Sequence, residues 1–596
     1  MIDRTTKLRW RRKLRNSRRQ VEDIGVQAEE QLDQHLFRRL ARLADVRRFV
    51  TAWVLLFVLL GAAVALQTRA LAGYYQVLQP APGGTYAEGM VGSFTNANPL
   101  YATGQVDSTA SRLIFAGLLK YDSNNKLVGD LAEKWSVDDT GKTYTVKLKP
   151  ELKWHDGKPL TADDVVFTFQ TIQNPDAGSP LFASWRGITV KAADPQTVTF
   201  RLTNTFAPFI YSLTTGIVPK HSLENVEPAQ LRSSLFNTAR PVGAGPFKWA
   251  TLESVGNSLE SREQHIGLQA FDDYHAGAPA LKQFIIKTYA DEAHLLASFE
   301  KQEVNALVGL DKTPDNLLNA RDIQEFNVSL TAENMVFFKT DSDVVKDYRV
   351  RQALVQAVNV GDIVSGLGYP VIKADEPLLR GQIGYNPDLR QLVTNPEQSK
   401  KLLDEAGWKL SGSGQVRSNG TKKLEIKLVA QNTADNIYLT RQLQKTWGQI
   451  GVSVVPTLLE DEEIQAAVKD RAYDALVYGI SLGTDPDMFA YWHSTQSDPI
   501  APNRLNLSDY KSTVTDKALE AGRNRLDPEL RSAKYVPFLQ AWRNDAPALA
   551  LYQPRFLYIV RGQLTGFAPK AINSGADRFA NIENWMIRQE HTVKAE

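Results

Sequence analysis

Residues 154–169, WHDGKPLTADDVVFTF, place a strand end, a tight turn and a capped helix in one run. Asp156-Gly157 supplies a position tolerant of positive φ, and Lys158-Pro159 restarts the chain. Thr161 stands where a helix N-cap belongs, with Asp164 three positions on to complete a capping box. Val165, Val166, Phe169 and Ile172 then share one helical face until Asn174-Pro175 ends it. None of these residues needs to do chemistry, so the run reads as structural nucleation within an α/β arrangement.

Outward from this run, short strands alternate with helices. Tyr144, Val146 and Leu148 alternate with polar residues after the Asp139-Thr140-Gly141 turn, and Val198, Phe200 and Leu202 do so after Asp194-Pro195. Helices are expected at Val350, Leu354, Ala357, Val358 and at Leu439, Leu443, Trp447, Ile450, the second closed by Gly451. Leu424, Ile426 and Leu428 form a strand after the Asn419-Gly420 turn. No internal repeat or low-complexity tract interrupts this pattern.

At 596 residues the chain exceeds a single core, and two or three domains are expected. Net charge is +2, but residues 1–50 carry fourteen Lys/Arg against seven Asp/Glu, so the remainder is net acidic. The basic arm runs directly into residues 49–68, FVTAWVLLFVLLGAAVALQT, which hold no charge. Twenty helical residues span roughly 30 Å, the hydrocarbon thickness of a bilayer. Arg47 and Arg48 precede this stretch and only Arg69 follows closely, which places the N-terminus in the cytoplasm and the bulk of the chain outside. Ala70-Leu71-Ala72 fits a cleavage pattern, yet the preceding region is too long for a signal peptide, so an uncleaved single-pass anchor in the cell membrane is expected. The arm leads to a membrane rather than to a nucleic acid.

Leu32, Leu36, Leu40 and Leu43 recur at helical spacing and predict an amphipathic helix on the cytoplasmic side, either lying on anionic headgroups or serving topology alone. There is no cysteine, which excludes disulfides, thiolate metal sites and a lipid-modified cysteine. Residues 73–84, GYYQVLQPAPGG, read as a tether to a body that begins near Thr85.

Signals for catalysis are poor. Gly141-Lys142-Thr143 lacks the glycine a phosphate loop needs five residues earlier, where Ser136 stands. The eight histidines include no zinc-binding pair at helical spacing, so no metal or cofactor is implied. Gly479-Ile480-Ser481-Leu482-Gly483 matches a nucleophile elbow in spacing, but Thr484-Asp485-Pro486 delays the helix that an elbow requires. Glu460 to Glu463 read as a solvated helix start.

The Trp154–Phe169 run also resembles the hallmark of the family 5 extracytoplasmic solute-binding proteins, the oligopeptide, dipeptide and nickel receptors of ABC importers. SFTNANPLYATGQVDSTASRLIFAGLLKYD resembles the family's opening strand, loop and helix, and GAGPFKW its glycine-rich return strand. VKDYRVRQALVQAVNVGDIV, NPEQSKKLLDEAGW and DPDMFAYWHS are similar to later segments in the same order, so the resemblance runs from about Thr85 to Phe567. It implies a two-lobed periplasmic-binding-protein fold of type II, of the large peptide-binding subclass, preceded by one transmembrane helix. The expected division is a cytoplasmic arm (1–48), an anchor (49–68), a linker (69–84), a first lobe in three stretches (85–118, 213–334 and 549–590), a small inserted domain (119–212) and a second lobe (335–548).

The implied function is capture of oligopeptides or related solutes by lobe closure, in monomeric form, for the permease subunits of an ABC importer. A sensor or scaffold that signals through the cytoplasmic arm is the alternative. Candidate ligand residues are Asn98 and Tyr101 after the first strand, Met335 and Phe337 near the crossing, Tyr478, Ser481, Leu482 and Gly483 on and beyond a later strand, Asp485, and Trp492. In the family's peptide receptors an Asp at the end of that later strand pairs with the ligand's α-amino group. Here the slot holds Leu482, Ser481 or Gly483, and the nearest carboxylate, Asp485, reads as a helix N-cap followed by proline. The resemblance therefore does not carry free-amine recognition onto this chain, and a blocked, longer or differently charged ligand is equally compatible.

Overall fold

The structure is a computed structural model that describes Val26 and residues 46–593, apart from 257–261, 319, 411–414 and 502–503. The expected amphipathic helix of the N-terminal arm lies outside the described residues. Two units separate, one holding the N-terminal helix and the other spanning Pro80–Arg588.

In the first unit the helix Arg47–Tyr75 is longer than the apolar run that defines it. Its segment Arg48–Leu71 is long and apolar enough to cross a membrane. Residues 73–84 are not a plain tether: the helix continues to Tyr75, and Gln76–Ala81 is a strand paired with Arg588–Val593. Val77 favours extended structure, and the partner strand satisfies the backbone there.

The second unit holds three principal sheets. An eight-stranded sheet has Thr85–Val91 near its centre, parallel to Gln283–Tyr289 and to Ala306–Val308. Strand Arg555–Arg561 inserts antiparallel between Ala306–Val308 and Ile323–Leu330. A four-stranded antiparallel sheet, Ala132–Val137, Thr143–Leu148, Thr197–Arg201 and Thr189–Asp194, packs through the same hydrophobic core. The third sheet has six strands, with Ala332–Phe338 at its middle between Ala548–Gln553 and Ala475–Ser481. The sequence reading returned the chain to the first lobe at 549. Ala548–Gln553 still belongs to the six-stranded sheet, and the return occurs at Arg555.

The hydrophobic cores divide at the same two points. Residues before Leu330 and after Phe556 pack around the eight- and four-stranded sheets, whereas Met335 to Tyr552 pack on the two faces of the six-stranded sheet. The chain thus crosses from one lobe to the other at Thr331 and back at Pro554. Pro554 has no amide to donate, and its carbonyl accepts from Leu330 N at 3.0 Å while Gln553 Nε2 donates to the Leu330 carbonyl at 2.7 Å. The two crossing segments are therefore bonded to each other.

The Trp154–Phe169 run folds as its residues dictate. Gly157 adopts φ +83°, Trp154 N donates to the Lys158 carbonyl at 2.9 Å, and the helix runs Ala162–Gln173. The Asp164 carboxylate accepts from the amides of Thr161 and Lys220, each at 2.9 Å, so the cap also fixes a distant segment.

The first lobe is closed by a buried ion pair. Glu88, on the central strand, and Arg578, near the chain's end, are both fully buried, with Arg578 Nη2 donating to Glu88 Oε2 at 2.5 Å. Tyr558 donates to Glu88 Oε1 at 2.5 Å, and the Tyr86 and Tyr558 hydroxyls meet at 2.6 Å. Breaking one side of such a pair leaves a buried charge uncompensated, so Arg578→Met is expected to lower unfolding free energy by about 3–5 kcal/mol, read by denaturant titration.

The second lobe holds an opposite case. Glu333, on the crossing strand, is fully buried and neither carboxyl oxygen has a hydrogen-bond partner among the described residues. Burial, then the nearby Glu376 and Asp375, raise its pKa well above the usual carboxylate range. Glu376, also buried, is pushed up to about 8 by burial, against the opposing bond from Asn386 N. Because the folded state holds these protons more tightly than the unfolded chain, their contribution to stability falls as pH rises from the unfolded value near 4.5 toward 8. Glu333→Gln and Glu376→Gln should each flatten that fall in Tm between pH 5 and 8.5, with little change at pH 5.

Candidate functional site

A cavity of about 380 Å³ opens where the lobes meet at the crossing. Its first-lobe wall includes Leu310, Asp311, Pro554 and Arg555. From the second lobe come Asn334, Tyr369, Asp435, Asn436, Tyr478 and Tyr552. Proline-terminated pairing puts Arg555 at the first position of its strand, and the N-terminal turn of helix Ala434–Gly448 presents Asp435. The Arg555 guanidinium lies 3.8 Å from the centre of the Tyr369 ring, a cation–π contact across the lobes. Tyr369 donates its hydroxyl to Asp435 Oδ2. Burial pushes the Tyr552 phenol up to about 12, so it stays a neutral donor. Gly479 lies close to Asn334: a Cβ there would come within 2.7 Å of Asn334 Oδ1 and displace that side chain.

One strand edge beside this cavity is unpaired over part of its length among the described residues. Ala475–Ser481 pairs along its full length with Ala332–Phe338, but its other neighbour, Glu425–Gln431, is registered only against Ala475, Leu476 and Val477. Tyr478 to Ser481 therefore present backbone groups on that side, with the Ser481 carbonyl accepting from the Tyr491 hydroxyl at 2.5 Å. An edge of this kind can take an added extended chain.

Nearer the far side of the crossing, the lobes touch through Asn573. Its Oδ1 accepts from Thr331 Oγ1 at 2.6 Å and from Thr484 Oγ1 of the second lobe at 3.0 Å, while its amide donates to Asn125 Oδ1 at 3.0 Å. Arg523 of the second lobe stacks between Phe489 (4.1 Å) and Phe206 of the first (4.7 Å). A polar recess of about 340 Å³ lies beside Asn573, crossed by the 3.2 Å Arg112–Asp577 ion pair.

The candidate ligand residues from the sequence fall into two groups. Tyr478 lines the cavity, and Ser481 and Gly483 lie on the open edge and the turn after it. Gly483 takes φ +66°, its carbonyl accepts from Gln382 Nε2 at 2.7 Å, and the amides of Leu482 and Gly483 both donate to the Thr331 carbonyl. Ser481 accordingly leads into a loop, and the next helix starts only at Phe489, so no elbow is formed.

The remaining residues are packed inside. Met335, Phe337 and Trp492 are fully buried in one core of the second lobe, and Leu482 joins them. Tyr101 is buried with its hydroxyl on the Ala177 carbonyl, and Asn98 is locked to Asn237 and to the Leu100 amide. Asp485 is not a helix N-cap. Its side chain, 7 % exposed, grips Arg531 through both oxygens at 2.5 Å, and Arg531 is itself buried. A carboxylate this well paired is satisfied within its own lobe. Sequence reasoning missed Arg555, Asp311, Asp435, Tyr369 and Asn573, which sit in loops or at element ends where no periodicity marks them.

Two lobes joined by paired crossing strands, with a cavity between them, define a two-lobed solute-binding protein. Residues 126–501 match the family model of the bacterial extracellular solute-binding proteins, family 5 Middle, and the chain belongs to that family, whose members are the substrate-binding proteins of ABC transporters rather than enzymes. The oligopeptide-binding protein AppA of Bacillus subtilis is 28% identical over 532 residues, covering 85% of this chain and 92% of its own. The solved structure of that protein with a nonapeptide superimposes with a TM-score of 0.69 at 27% identity, over 86% of this chain and 100% of the other. NikZ of Campylobacter jejuni in complex with Ni(L-His) gives 0.71 at 25% identity, over 84% and 99%. The dipeptide-binding protein of Escherichia coli is 25% identical over 531 residues, 82% of this chain and 93% of its own.

Removing the Asn573 carboxamide strips Thr331, Thr484 and Asn125 of a shared partner. With the chain free of native cysteine, spin labels at exposed Ser184→Cys and Asn524→Cys report the lobe separation directly. Asn573→Ala is expected to broaden that distance distribution toward longer values.

Proposed function

We propose that this protein captures oligopeptides or closely related solutes outside the cell and delivers them to the permease of an ABC importer. Residues 49–68 hold it in the membrane and the N-terminal arm stays inside. The observation that carries this reading is the open edge at Tyr478 to Ser481 beside the interlobe cavity. Main-chain hydrogen bonds to such an edge attract an extended peptide without reading its sequence. Each bond nets only about 1 kcal/mol, so several of them, with side-chain burial, are needed to reach the roughly 8 kcal/mol of a micromolar complex. Among the ten sequence candidates, Tyr478, Ser481 and Gly483 touch the ligand in this account. Asn98, Tyr101, Met335, Phe337, Leu482, Asp485 and Trp492 shape the walls behind it. Binding selects the closed arrangement from an existing open and closed equilibrium, with no covalent step.

The likeness to an oligopeptide-binding protein and to its nonapeptide complex supports the peptide class over a metal chelate. The apolar helix and the basic residues before it support the anchor. Purified full-length protein should gain thermal stability with a mixed peptide pool, by about 2.7 kcal/mol when the ligand stands at a hundred times its Kd. Stabilisation by nickel-histidine and by no peptide pool would overturn the peptide assignment. Deleting residues 49–68 should release the protein from the membrane fraction.

A further inference from the structure

Residues 374–391 form a strap across one face of the six-stranded sheet. Both ends are tied to strand Ala548–Gln553: Ala374 N donates to the Leu551 carbonyl at 3.1 Å, and the Gln391 side chain exchanges bonds with the Ala550 backbone at 2.9 and 3.1 Å. At the middle, Gln382 Oε1 accepts from Leu379 N at 2.8 Å while Nε2 donates to the Gly483 carbonyl at 2.7 Å. Gly483 N in turn donates to the Thr331 carbonyl at 3.1 Å. The strap thus reaches the crossing and the turn that follows the edge at Tyr478 to Ser481.

Beneath the strap lies a carboxyl that nothing holds. Side chains alternate along strand Ala332–Phe338, so Glu333 shares a face with Met335 and Phe337, the face that Ala374, Leu378 and Leu379 of the strap cover. Glu333 is fully buried, and neither of its oxygens has a hydrogen-bond partner among the described residues. The charged groups that act on it come from the strap and are both acidic, Glu376 first and then Asp375. Glu376 is fully buried too and accepts from Asn386 N at 3.0 Å, a bond within the strap. The neighbouring cations are engaged or in water. Arg390 pairs with Asp375 at 3.4 Å, and Lys373 and Arg380 are exposed beside a shallow recess that Tyr385 also lines. On helix Pro528–Asp545, which meets the strap where Ser532 Oγ accepts from Gly384 N at 3.1 Å, Arg531 is bound to Asp485 and Arg543 donates to the Asp388 carbonyl at 3.4 Å.

Two carboxyls buried on facing elements tolerate each other only while protonated. Ionising one places an unpaired charge in an apolar core, and ionising both adds repulsion between strap and strand. Lifting the strap hydrates both groups at once. Burial pushes Glu376 up to about 8 and raises Glu333 as well, so closure is favoured most below the ordinary value of 4.5 and weakens as pH rises toward 8.

We propose that Glu333 and Glu376 form a proton-operated latch: protonated, they let the strap lie on the sheet and grip the turn at Gly483, and deprotonated, they release the strap and loosen the hold on the captured solute. The effect on the solute rests on the peptide reading above. The latch itself does not.

Hydrogen exchange of the full-length protein in nanodiscs, read by mass spectrometry and corrected for the intrinsic rate at each pH, tests the latch without a ligand. From pH 6 to pH 8 the protection of strap amides such as Leu379 and Gln391 should fall at least about ten-fold, while helix Ala162–Gln173, in the first lobe's core, keeps its protection. Glu376→Gln should shrink that fall and Glu333→Gln/Glu376→Gln should remove it. Constant strap protection in the unaltered protein overturns the latch whether or not the variants fold, as does an equal loss in helix Ala162–Gln173 or a fall that survives the double substitution. The thermal stabilisation given by a mixed peptide pool then tests the hold on the solute: it should be smaller at pH 8 than at pH 6, and equal at both in the double variant. A strap that opens while this stabilisation stays constant overturns the coupling to the solute. A pool that stabilises at neither pH counts against the peptide reading alone, and strap exchange still decides the latch.

Discussion

The pairing of Glu88 with Arg578 is the constraint on which the first lobe depends. One partner lies on the strand that opens the folded body and the other almost 500 residues later, so the lobe exists only when both ends of the body have met. Between them the whole second lobe is inserted. Two charges out of water gain little over an apolar pair, but they are intolerant of misplacement, since either one alone would be stranded. The Tyr86–Tyr558 hydroxyl pair completes the network and joins the opening strand to the return strand. Correct docking of the return strand then determines where Pro554 falls, and with it the crossing.

Function follows from what the crossing places side by side. Leu330 and Pro554 are bonded, so the lobes are joined by a short and well-tied segment. The cavity lies beside it, and Asn573 spans the lobes at the crossing as well. Farther out, half-buried Arg523 lies between Phe206 and Phe489, a second cation–π contact between the lobes.

Much of this was legible in the residues. The turn and cap at Trp154–Phe169, the alternation at Tyr144 to Leu148 and at Val198 to Phe200, and the helix bearing Leu439, Leu443 and Trp447 all fold as their periodicity dictates. Local rules suffice there because each pattern buries one face and bonds its own backbone. Three of the candidate ligand residues are packed in a core for a related reason. Periodicity shows that Met335, Phe337 and Trp492 lie on a buried face, but a face turned to a core and one turned to a ligand cleft have the same composition. Asp485 before proline satisfied every local rule for a cap, yet Arg531, 46 residues away, claims it.

The sequence by itself determined the α/β alternation, the two-lobed family, the apolar helix and the small turns, because these depend on spacings of a few residues and on composition. Only the tertiary structure decided that Gln76–Ala81 pairs with the C-terminal strand, that Glu88 meets Arg578, and that Asp311, Asp435 and Arg555 share one cavity. Those contacts join residues more than a hundred positions apart. No hydrophobic period marks them there, and only the packed lobes bring their charges within reach of one another.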